Sequence, residues 1–274
     1  MPVESPYSRS AVIGRLRAAG CVFAEEEADL LLSAGHGPAE LISAVERRVD
    51  GFPLEHILGW AEFCGLRIRV EPGVFVPRRR TELLVREAAA LLGTALLGTA
   101  PADSVPSALP VVVDLCCGSG AVGAALAELL PGIAVHASDV DTAAVRCARR
   151  NLLPLGAVVH EGDLYAALPG RLKGSVDVLV VNAPYVPTAS IGSMPREARV
   201  HEPRVSLDGG PDGLDIQRRV IAEAVAWLRP GGHLLIETSR RQAPLTAAAM
   251  AGGGLGPRIA CSAELDATVV IGKL

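Results

Sequence analysis

Residues 111–123 read Val-Val-Val-Asp-Leu-Cys-Cys-Gly-Ser-Gly-Ala-Val-Gly, and this stretch decides the fold. The run of β-branched residues indicates a buried strand, and the glycines that follow have the spacing Gly-x-Gly-x-x-Gly of a ligand-binding turn that opens a helix. Glycine closes such a turn tightly and lets the backbone approach a ligand. On its own the spacing is a weak signal that fits a dinucleotide equally well.

Strands and helices alternate after residue 111. Apolar runs predict strands near 111–115, 133–138, 157–160, 176–181, 232–237, 257–261 and 267–272, with helices at 120–130, 141–151, 215–228 and 241–250. This alternation predicts an α/β fold with a doubly wound, mostly parallel sheet. Because no helix separates the last two strands, we expect them to form an antiparallel hairpin. Seven strands ending in this way resemble the Rossmann-like sheet of class I S-adenosylmethionine-dependent methyltransferases.

The residues before this sheet divide into smaller units. Apolar residues recur at helical spacing over 8–50, and alternation over 52–76 with a turn at Pro72-Gly73 indicates a β-hairpin. Thr81 is expected to cap the next helix, and a tandem Ala-Leu-Leu-Gly-Thr repeat at 90–99 indicates a helix tail or a loop insertion. We therefore predict a small helical domain at 1–51, a hairpin linker at 52–76 and a catalytic domain at 77–274.

Composition and charge exclude several classes of partner. The chain of 274 residues has a formal net charge of −4, so no protein-wide positive field attracts nucleic acid, and direct nucleic-acid binding is disfavoured. Without a run of 18 apolar residues or a signal peptide after Met1, no membrane span or export is expected. The six cysteines form no Cys-x-x-Cys pair and no cluster with histidine. This pattern predicts reduced thiols, no metal site and a cytoplasmic protein.

Acidic residues at strand ends favour S-adenosylmethionine over a dinucleotide. Asp114 ends the first strand, where a negative charge opposes a pyrophosphate but suits a ligand that carries an ammonium and a sulfonium. Asp139 is expected to bind ribose, the alternative being a surface turn. Asp163 is expected to accept from the adenine amino group, the alternative being a helix N-cap. The predicted cofactor contacts are Asp114, Cys116, Gly118, Ser119, Gly120, Asp139, Val140, Asp163, Leu164 and Asn182.

The strand at 176–181 ends in Asn182-Ala183-Pro184-Tyr185. Pro184 holds Ala183 extended, so the Ala183 carbonyl and the Asn182 side-chain oxygen form a pair of hydrogen-bond acceptors beside the aromatic face of Tyr185. Such a set suits a planar NH2 group and indicates N-methylation. The alternative is a strand-terminating turn, which asparagine and proline also favour. We predict these four residues as the catalytic ones.

With these residues in place, the chain resembles the HemK-type protein-(glutamine-N5) methyltransferases, which methylate the glutamine of peptide-chain release factors. The similarity covers nearly the whole chain and includes Phe75-Val-Pro-Arg78 with Thr81-Glu82, the glycine turn, and Asn182 to Tyr185. It implies S-adenosylmethionine as cofactor, a protein substrate docked by the helical domain, and acceptor contacts from Arg78, Thr81, Glu82, Asn182 and Tyr185.

Two departures from the family pattern concern the acceptor. Ala183 replaces the first proline of Asn-Pro-Pro-Tyr but keeps the carbonyl, and Arg79-Arg80 replace Pro-Asp. The run Arg78–Arg80 is either a solvated turn or a site for a carboxylate or phosphate of the substrate. The resemblance implies an in-line displacement at the sulfonium methyl by an amide nitrogen.

Other functions stay open on the sequence. N-methylation of an amide or guanidine on a small metabolite is the main alternative, since Ala183 and the arginine run depart from the family. Adenine-N6 methylation of nucleic acid shares the Asn-Pro-Pro-Tyr chemistry because its target is also an exocyclic NH2. An NAD-dependent oxidoreductase, or a binding module without activity, would use the same glycine turn.

Overall fold

The computed structural model describes residues 8–35, 37–98 and 109–274. The helices are α1 Arg9–Ala18, α2 Ala24–Ser33, α3 Pro38–Val49, α4 Leu54–Leu58, α5 Glu82–Gly98, α6 Ala121–Leu129, α7 Thr142–Leu152, α8 Arg196–His201, α9 Asp215–Trp227 and α10 Ala243–Gly252. The strands are β1 Trp60–Phe63, β2 Leu66–Arg69, β3 Val111–Leu115, β4 Ala134–Asp139, β5 Val158–Glu161, β6 Val176–Val181, β7 Leu228–Glu237, β8 Gly256–Ser262 and β9 Ala267–Lys273.

The strands β3 to β9 form a seven-stranded sheet with the order β5-β4-β3-β6-β7-β9-β8. The first five of these strands are parallel, and β9 runs antiparallel between β7 and β8. The predicted doubly wound sheet with a terminal hairpin is therefore confirmed. Strand order reverses between β3 and β6, and open α/β sheets bind ligands at the carboxyl ends of the strands at such a point.

The strand β7 differs most from its prediction, because it begins at Leu228 rather than at residue 232. The first five residues of β7 are Leu-Arg-Pro-Gly-Gly, and they lack the alternation of apolar and polar residues that indicates a strand. Leu228 nevertheless pairs with Val176, and the register then shifts before His233 pairs with Val178. An irregular pairing of this kind leaves no periodic signal in the sequence.

Both faces of the sheet are covered by helices, as a mostly parallel sheet requires. On one face α5, α6 and α7 bury Leu84, Leu126 and Leu152 against Val112. On the other face α9 and α10 bury Trp227 and Met250 with Leu115 and Leu179. Successive β3 residues thus point to opposite layers, which fixes the direction of Asp114 at the end of the strand.

The N-terminal helices α1, α2 and α3 pack around a separate core that includes Leu16, Leu31 and Val45. The following segment, 52–76, is only partly the predicted hairpin: β1 and β2 form it over 60–69, but 54–58 is the helix α4. Leu54, Ile57 and Leu58 pack against the helical core. Their spacing of three and four residues places all three on one face of α4. The short helix ends at Gly59, which has a φ of +79°.

The helix after Thr81 also differs from the prediction. A 3-10 turn, Arg79–Thr81, precedes α5, and the Thr81 hydroxyl accepts a hydrogen bond from Asn182. The helix α5 extends to Gly98, so the tandem repeat is a helix tail up to that residue. The structure does not describe residues 1–7, His36 and 99–108, so the sequence predictions made for them lie outside the described residues. No helix in the described ranges is long and apolar enough to cross a membrane.

Candidate active site

A cavity of about 540 Å³ opens at the carboxyl ends of β3, β4 and β6. Most of the residues predicted for the cofactor and the acceptor line it: Arg78, Thr81, Asp114, Cys116, Gly118, Ser119, Asp139, Val140, Asp163, Leu164, Asn182, Ala183, Pro184 and Tyr185. Two predicted residues lie outside this lining. Gly120 is the N-cap residue of α6 and has a φ of +78°, and a Cβ there would come within 2.8 Å of Leu152. Glu82 begins α5, and its carboxylate lies 3.6 Å from Arg86.

The glycine turn is held by the carboxylate of Asp139. Its Oδ2 accepts from the Gly118 N–H at 2.8 Å, and its Oδ1 accepts from the Asp141 N–H at 2.9 Å. Burial raises the pKa of Asp139, and these amides oppose the rise. Gly118 has a φ of +55° and Cys116, an L residue, a φ of +57°. Glycine adopts this conformation freely, but for Cys116 it costs free energy, and such strained residues are characteristic of ligand-binding turns.

Asp114 is the most buried carboxylate at this end of the cavity. The residue is 2 % exposed, and its Oδ2 accepts one hydrogen bond, from the Gly123 N–H at 3.0 Å. Burial raises the pKa of Asp114 to about 7, an effect that the Gly123 amide opposes and the charge of Asp139 reinforces. The nearby Ser138 hydroxyl is buried with no hydrogen-bond partner among the described residues.

These observations test the fit of the predicted cofactor. A buried carboxylate is stabilised by a positive partner, and Asp114 finds none among the ion pairs of the described residues. An unpartnered hydroxyl at Ser138 offers a further hydrogen bond to a ligand. This end of the cavity therefore suits a cationic nucleoside such as S-adenosylmethionine and opposes a pyrophosphate.

Asp163 has a different environment. Its Oδ2 lies 2.6 Å from Arg219 Nη2, and its side chain is 54 % exposed. It occupies the N-cap position of the 3-10 turn Leu164–Ala167 but makes no side-chain cap hydrogen bond, so the N-cap alternative does not explain it. Leu164 has a φ of +47°. The contact of Asp163 with adenine remains a prediction.

Asn182 is oriented by a hydrogen bond at the wall of the cavity. The Thr81 hydroxyl oxygen accepts from Asn182 Nδ2 at 3.2 Å. The Asn182 side-chain oxygen then has no donor among the described residues. The neighbouring Ala183 carbonyl likewise accepts no hydrogen bond from the described loops and turns.

The backbone after Asn182 is fixed by a glycine-rich loop. The Val186 N–H donates to the Leu207 carbonyl at 3.0 Å, and the Gly209 N–H donates to the Val186 carbonyl at 2.9 Å. Gly213 approaches so closely that a Cβ there would overlap the Tyr185 carbonyl oxygen. Gln242 Nε2 donates to the same oxygen at 2.9 Å. The tetrapeptide is therefore clamped from residues far along the chain.

Glu237 and Gln242 are site residues that the sequence prediction did not include. Glu237 is the last residue of β7 and follows the apolar run Leu-Leu-Ile, just as Asp139 is the last residue of β4. An acidic residue at the end of a strand was therefore a sequence pattern that could have identified it. The residue is 2 % exposed, and its Oε1 accepts from the Tyr185 hydroxyl at 3.3 Å. Burial raises the pKa of Glu237, and Thr81, Arg80 and Tyr185 oppose the rise. Gln242 is the N-cap residue of α10.

Charged side chains of the segments 75–81 and 194–207 also line the cavity. Arg78 is paired with Glu202, whose Oε1 also accepts from the Val76 N–H at 3.3 Å. Burial raises the pKa of Glu202, and Arg78 opposes the rise. Glu197 lies 2.9 Å from Arg48 of the helical domain. No group of three or more His, Cys, Asp or Glu in the described ranges is arranged to hold a metal ion.

Comparison with known proteins identifies relatives of the chain. Residues 88–199 match the family model described as "Methyltransferase small domain". The release factor glutamine methyltransferase of Geobacter sulfurreducens is 39 % identical over 75 % of this chain and 68 % of its own length. The chain thus spans about two thirds of that relative.

Two further relatives bear on substrate and fold. The 4-amino-L-phenylalanine/4-methylamino-L-phenylalanine methyltransferase of Streptomyces pristinaespiralis is 38 % identical over 81 % of this chain and 73 % of its own length. Among solved structures, the T. thermophilus 16S rRNA N2 G1207 methyltransferase, in complex with AdoMet and guanosine, has a TM-score of 0.53 at 20 % identity, covering 78 % of this chain and 49 % of that one. This last similarity concerns the fold alone.

Proposed function

The chain belongs to the release factor glutamine methyltransferase family, and from this premise we propose that it methylates the side-chain amide nitrogen of a glutamine in a protein, with a peptide-chain release factor as the first candidate. One observation carries the proposal. At the end of β6, the Asn182 amide donates to Thr81, which leaves the Asn182 oxygen and the adjacent Ala183 carbonyl as two acceptors for a single NH2 group.

The cofactor we propose is S-adenosylmethionine, which supplies a methyl group activated by its sulfonium. Asp114 would balance the positive charge of the ligand from its buried position. Asp139, which already fixes the glycine turn through Gly118, would accept from the ribose hydroxyls. Ser138, without a partner of its own, would complete the polar contacts. Each of these residues binds or orients, and none has to transfer a proton.

The acceptor residues contribute positioning. An amide nitrogen is a poor nucleophile because its lone pair is delocalised into the carbonyl. Asn182 and the Ala183 carbonyl, accepting one N–H each, would hold the NH2 group toward the methyl and favour its pyramidalisation. Orientation and fixed dipoles of this kind supply the main catalytic terms. The product can lose its proton after transfer, so no strong base is required. Tyr185 would pack against the planar group beside the positive charge.

A second candidate function is N-methylation of an amine or amide on a small molecule. The S. pristinaespiralis relative, which acts on 4-amino-L-phenylalanine, is as similar to this chain as the release factor enzymes are. An aromatic NH2 group presents the same two N–H bonds to Asn182 and to the Ala183 carbonyl. The replacement of proline by Ala183 at the second position of the tetrapeptide also favours a change of acceptor.

Radiolabelled methyl transfer separates the two candidates. The purified protein is incubated with methyl-labelled S-adenosylmethionine and either release factors or 4-amino-L-phenylalanine, with Asn182→Ala as a matched control for site-dependent labelling. We expect label in a release-factor glutamine, located by mass spectrometry of the digested protein. Label in the amino acid alone would overturn the leading acceptor.

A further inference from the structure

Four charged side chains of the segments 75–81 and 194–207 line the cavity: Arg78, Arg80, Glu197 and Glu202. We call this region the acceptor mouth. Its members interact electrostatically, since the charges of Arg78 and Glu197 both shift the pKa of Glu202. Three of the four have a partner, because Arg78 pairs with Glu202 and Glu197 pairs with Arg48. Arg80 makes no ion pair with any residue in the described ranges.

The charge of Arg80 reaches the acceptor residues. It opposes the rise in the pKa of Glu237 and of Tyr185, the two residues joined by the hydrogen bond beneath the tetrapeptide. Glu237 is 2 % exposed and does not line the cavity, so it offers Arg80 no direct partner at the mouth. The cavity is therefore polarised, with Asp114 and Asp139 at the cofactor end and an uncompensated guanidinium at the acceptor mouth.

Arg79 provides an internal comparison. It is the neighbouring residue, has the same charge and is exposed like Arg80, but it lies 3.8 Å from Glu264. Arg79 is also absent from the cavity lining, whereas Arg80 is part of it. A general effect of positive charge near the entrance would apply to both residues. An effect of contact with the acceptor would apply to Arg80 alone.

We propose that Arg80 determines specificity by binding a carboxylate that the acceptor carries at a distance from the methylated nitrogen. In a protein substrate this group is the side chain of an acidic residue next to the glutamine, and in a free amino acid it is the α-carboxylate. The planar guanidinium presents parallel N–H donors that match a carboxylate. The inference rests on the proposed function, because it places the methylated NH2 group at Asn182.

Matched peptides test the inference. One peptide carries a glutamine between aspartates and the other the same glutamine between asparagines, so that size is kept and charge removed. We expect a KM about fivefold lower for the aspartate peptide at low salt, the effect of an exposed ion pair. Arg80→Gln should make the two KM values equal, and Arg79→Gln should leave the difference in place. The S-adenosylmethionine Kd of Arg80→Gln, measured by calorimetry, should match that of the unchanged protein.

The amino acid arm uses 4-amino-L-phenylalanine and its carboxamide, which differ in the α-carboxylate. If neither peptide is methylated, the proposed protein acceptor is wrong, and a preference for the free acid that Arg80→Gln abolishes still supports the role of Arg80. Equal KM values within the methylated pair, or the same loss in Arg79→Gln, would overturn the inference while leaving the proposed function standing. Methylation of none of the four compounds overturns both.

Discussion

The guanidinium of Arg48 lies 2.9 Å from the carboxylate of Glu197, although 149 residues separate them in the chain. Arg48 belongs to α3 of the helical domain, and Glu197 on α8 lines the acceptor mouth. The same guanidinium donates to Glu27 on α2 at 2.6 and 3.0 Å and to the Phe52 carbonyl at 3.0 Å. The helical domain thus holds one wall of the cavity in place.

Arg48→Met should therefore weaken both folding and acceptor binding. Arg48 and Glu27 are 12 % and 11 % exposed, and removing one partner of a buried ion pair costs about 3 kcal/mol. We expect a loss of this size in urea unfolding and a raised acceptor KM, with the S-adenosylmethionine Kd unchanged. Arg15→Met is the control, because Arg15 lies 3.9 Å from Glu46 on the surface and should cost less than about 1 kcal/mol. An unchanged acceptor KM in folded Arg48→Met contradicts the coupling.

Asn182→Ala should separate binding from chemistry. It removes one of the two proposed acceptors of the NH2 group, and the loss of one such preorganised contact lowers kcat by about 100-fold. The S-adenosylmethionine Kd, measured by calorimetry, should change little. Thr81→Val and Thr81→Ser form a matched pair, because only serine keeps the hydroxyl that receives Asn182 Nδ2. We expect slow turnover in the valine variant alone, and turnover near normal in Asn182→Ala would remove the role assigned to Asn182.

Affinity for S-adenosylmethionine should fall in mild acid. Burial raises the pKa of Asp114 to about 7, and only the ionised form attracts the cationic ligand. Between pH 8 and pH 6 the Kd should therefore rise by about tenfold through this residue. In Asp114→Asn the Kd should be weaker at pH 8 and much less dependent on pH. A wild-type profile as flat as that of the variant contradicts this role.

The same substitution should act in the opposite direction on the empty protein. A carboxyl whose pKa is raised by folding destabilises the folded state increasingly as pH rises from its unfolded value, near 4, through 7. Asp114→Asn removes this contribution and retains an oxygen that can accept from the Gly123 N–H. We expect its melting temperature without ligand to be no lower than that of the unchanged protein at pH 8, which also shows that the variant folds.

Gly213→Ala should damage the site more than a matched change elsewhere. Gly213 and Gly231 have φ values of +80° and +79°, so alanine is strained at both by about 1 kcal/mol. A Cβ at Gly231 meets no atom within 4 Å, whereas at Gly213 it overlaps the Tyr185 carbonyl oxygen and Gln242. We expect Gly231→Ala to lose only this strain energy in urea unfolding. Gly213→Ala should lose more and turn over slowly, and equal effects would contradict the clamp.

The sheet was predictable because its strands are continuous apolar runs bounded by breaks, as at β3 and β6, and parallel strands buried on both faces carry this signal. The positions of Asp114, Asp139 and Asn182 were predictable too, since the topology of a parallel sheet places the ends of its strands along one edge. By contrast α4 lay in a segment with an apparent strand pattern. Five residues are too few to show helical periodicity, and tertiary packing against the helical core decides the conformation.

The hydrogen bonds that could not be predicted from the sequence join segments that are distant along the chain. Nothing in the local sequence of Arg48 or Gln242 indicates a partner, because these partners, Glu197 and Tyr185, come close only in the folded chain. The same holds for Thr81, whose position before α5 suggested a cap although its hydroxyl accepts from Asn182. Periodicity indicates which face of a helix or strand is buried, but it does not indicate which side chains of other elements contact that face.

The hydrogen bond from Gln242 to the Tyr185 carbonyl spans 57 residues, and this separation has a consequence during synthesis. When Asn182 to Tyr185 leave the ribosome, Gly209 and Gly213 are still inside it and Gln242 has not yet been made. The tetrapeptide therefore reaches its final geometry only when almost the entire chain has been translated. A chain that ends before Gln242 carries the motif without this hydrogen bond to it.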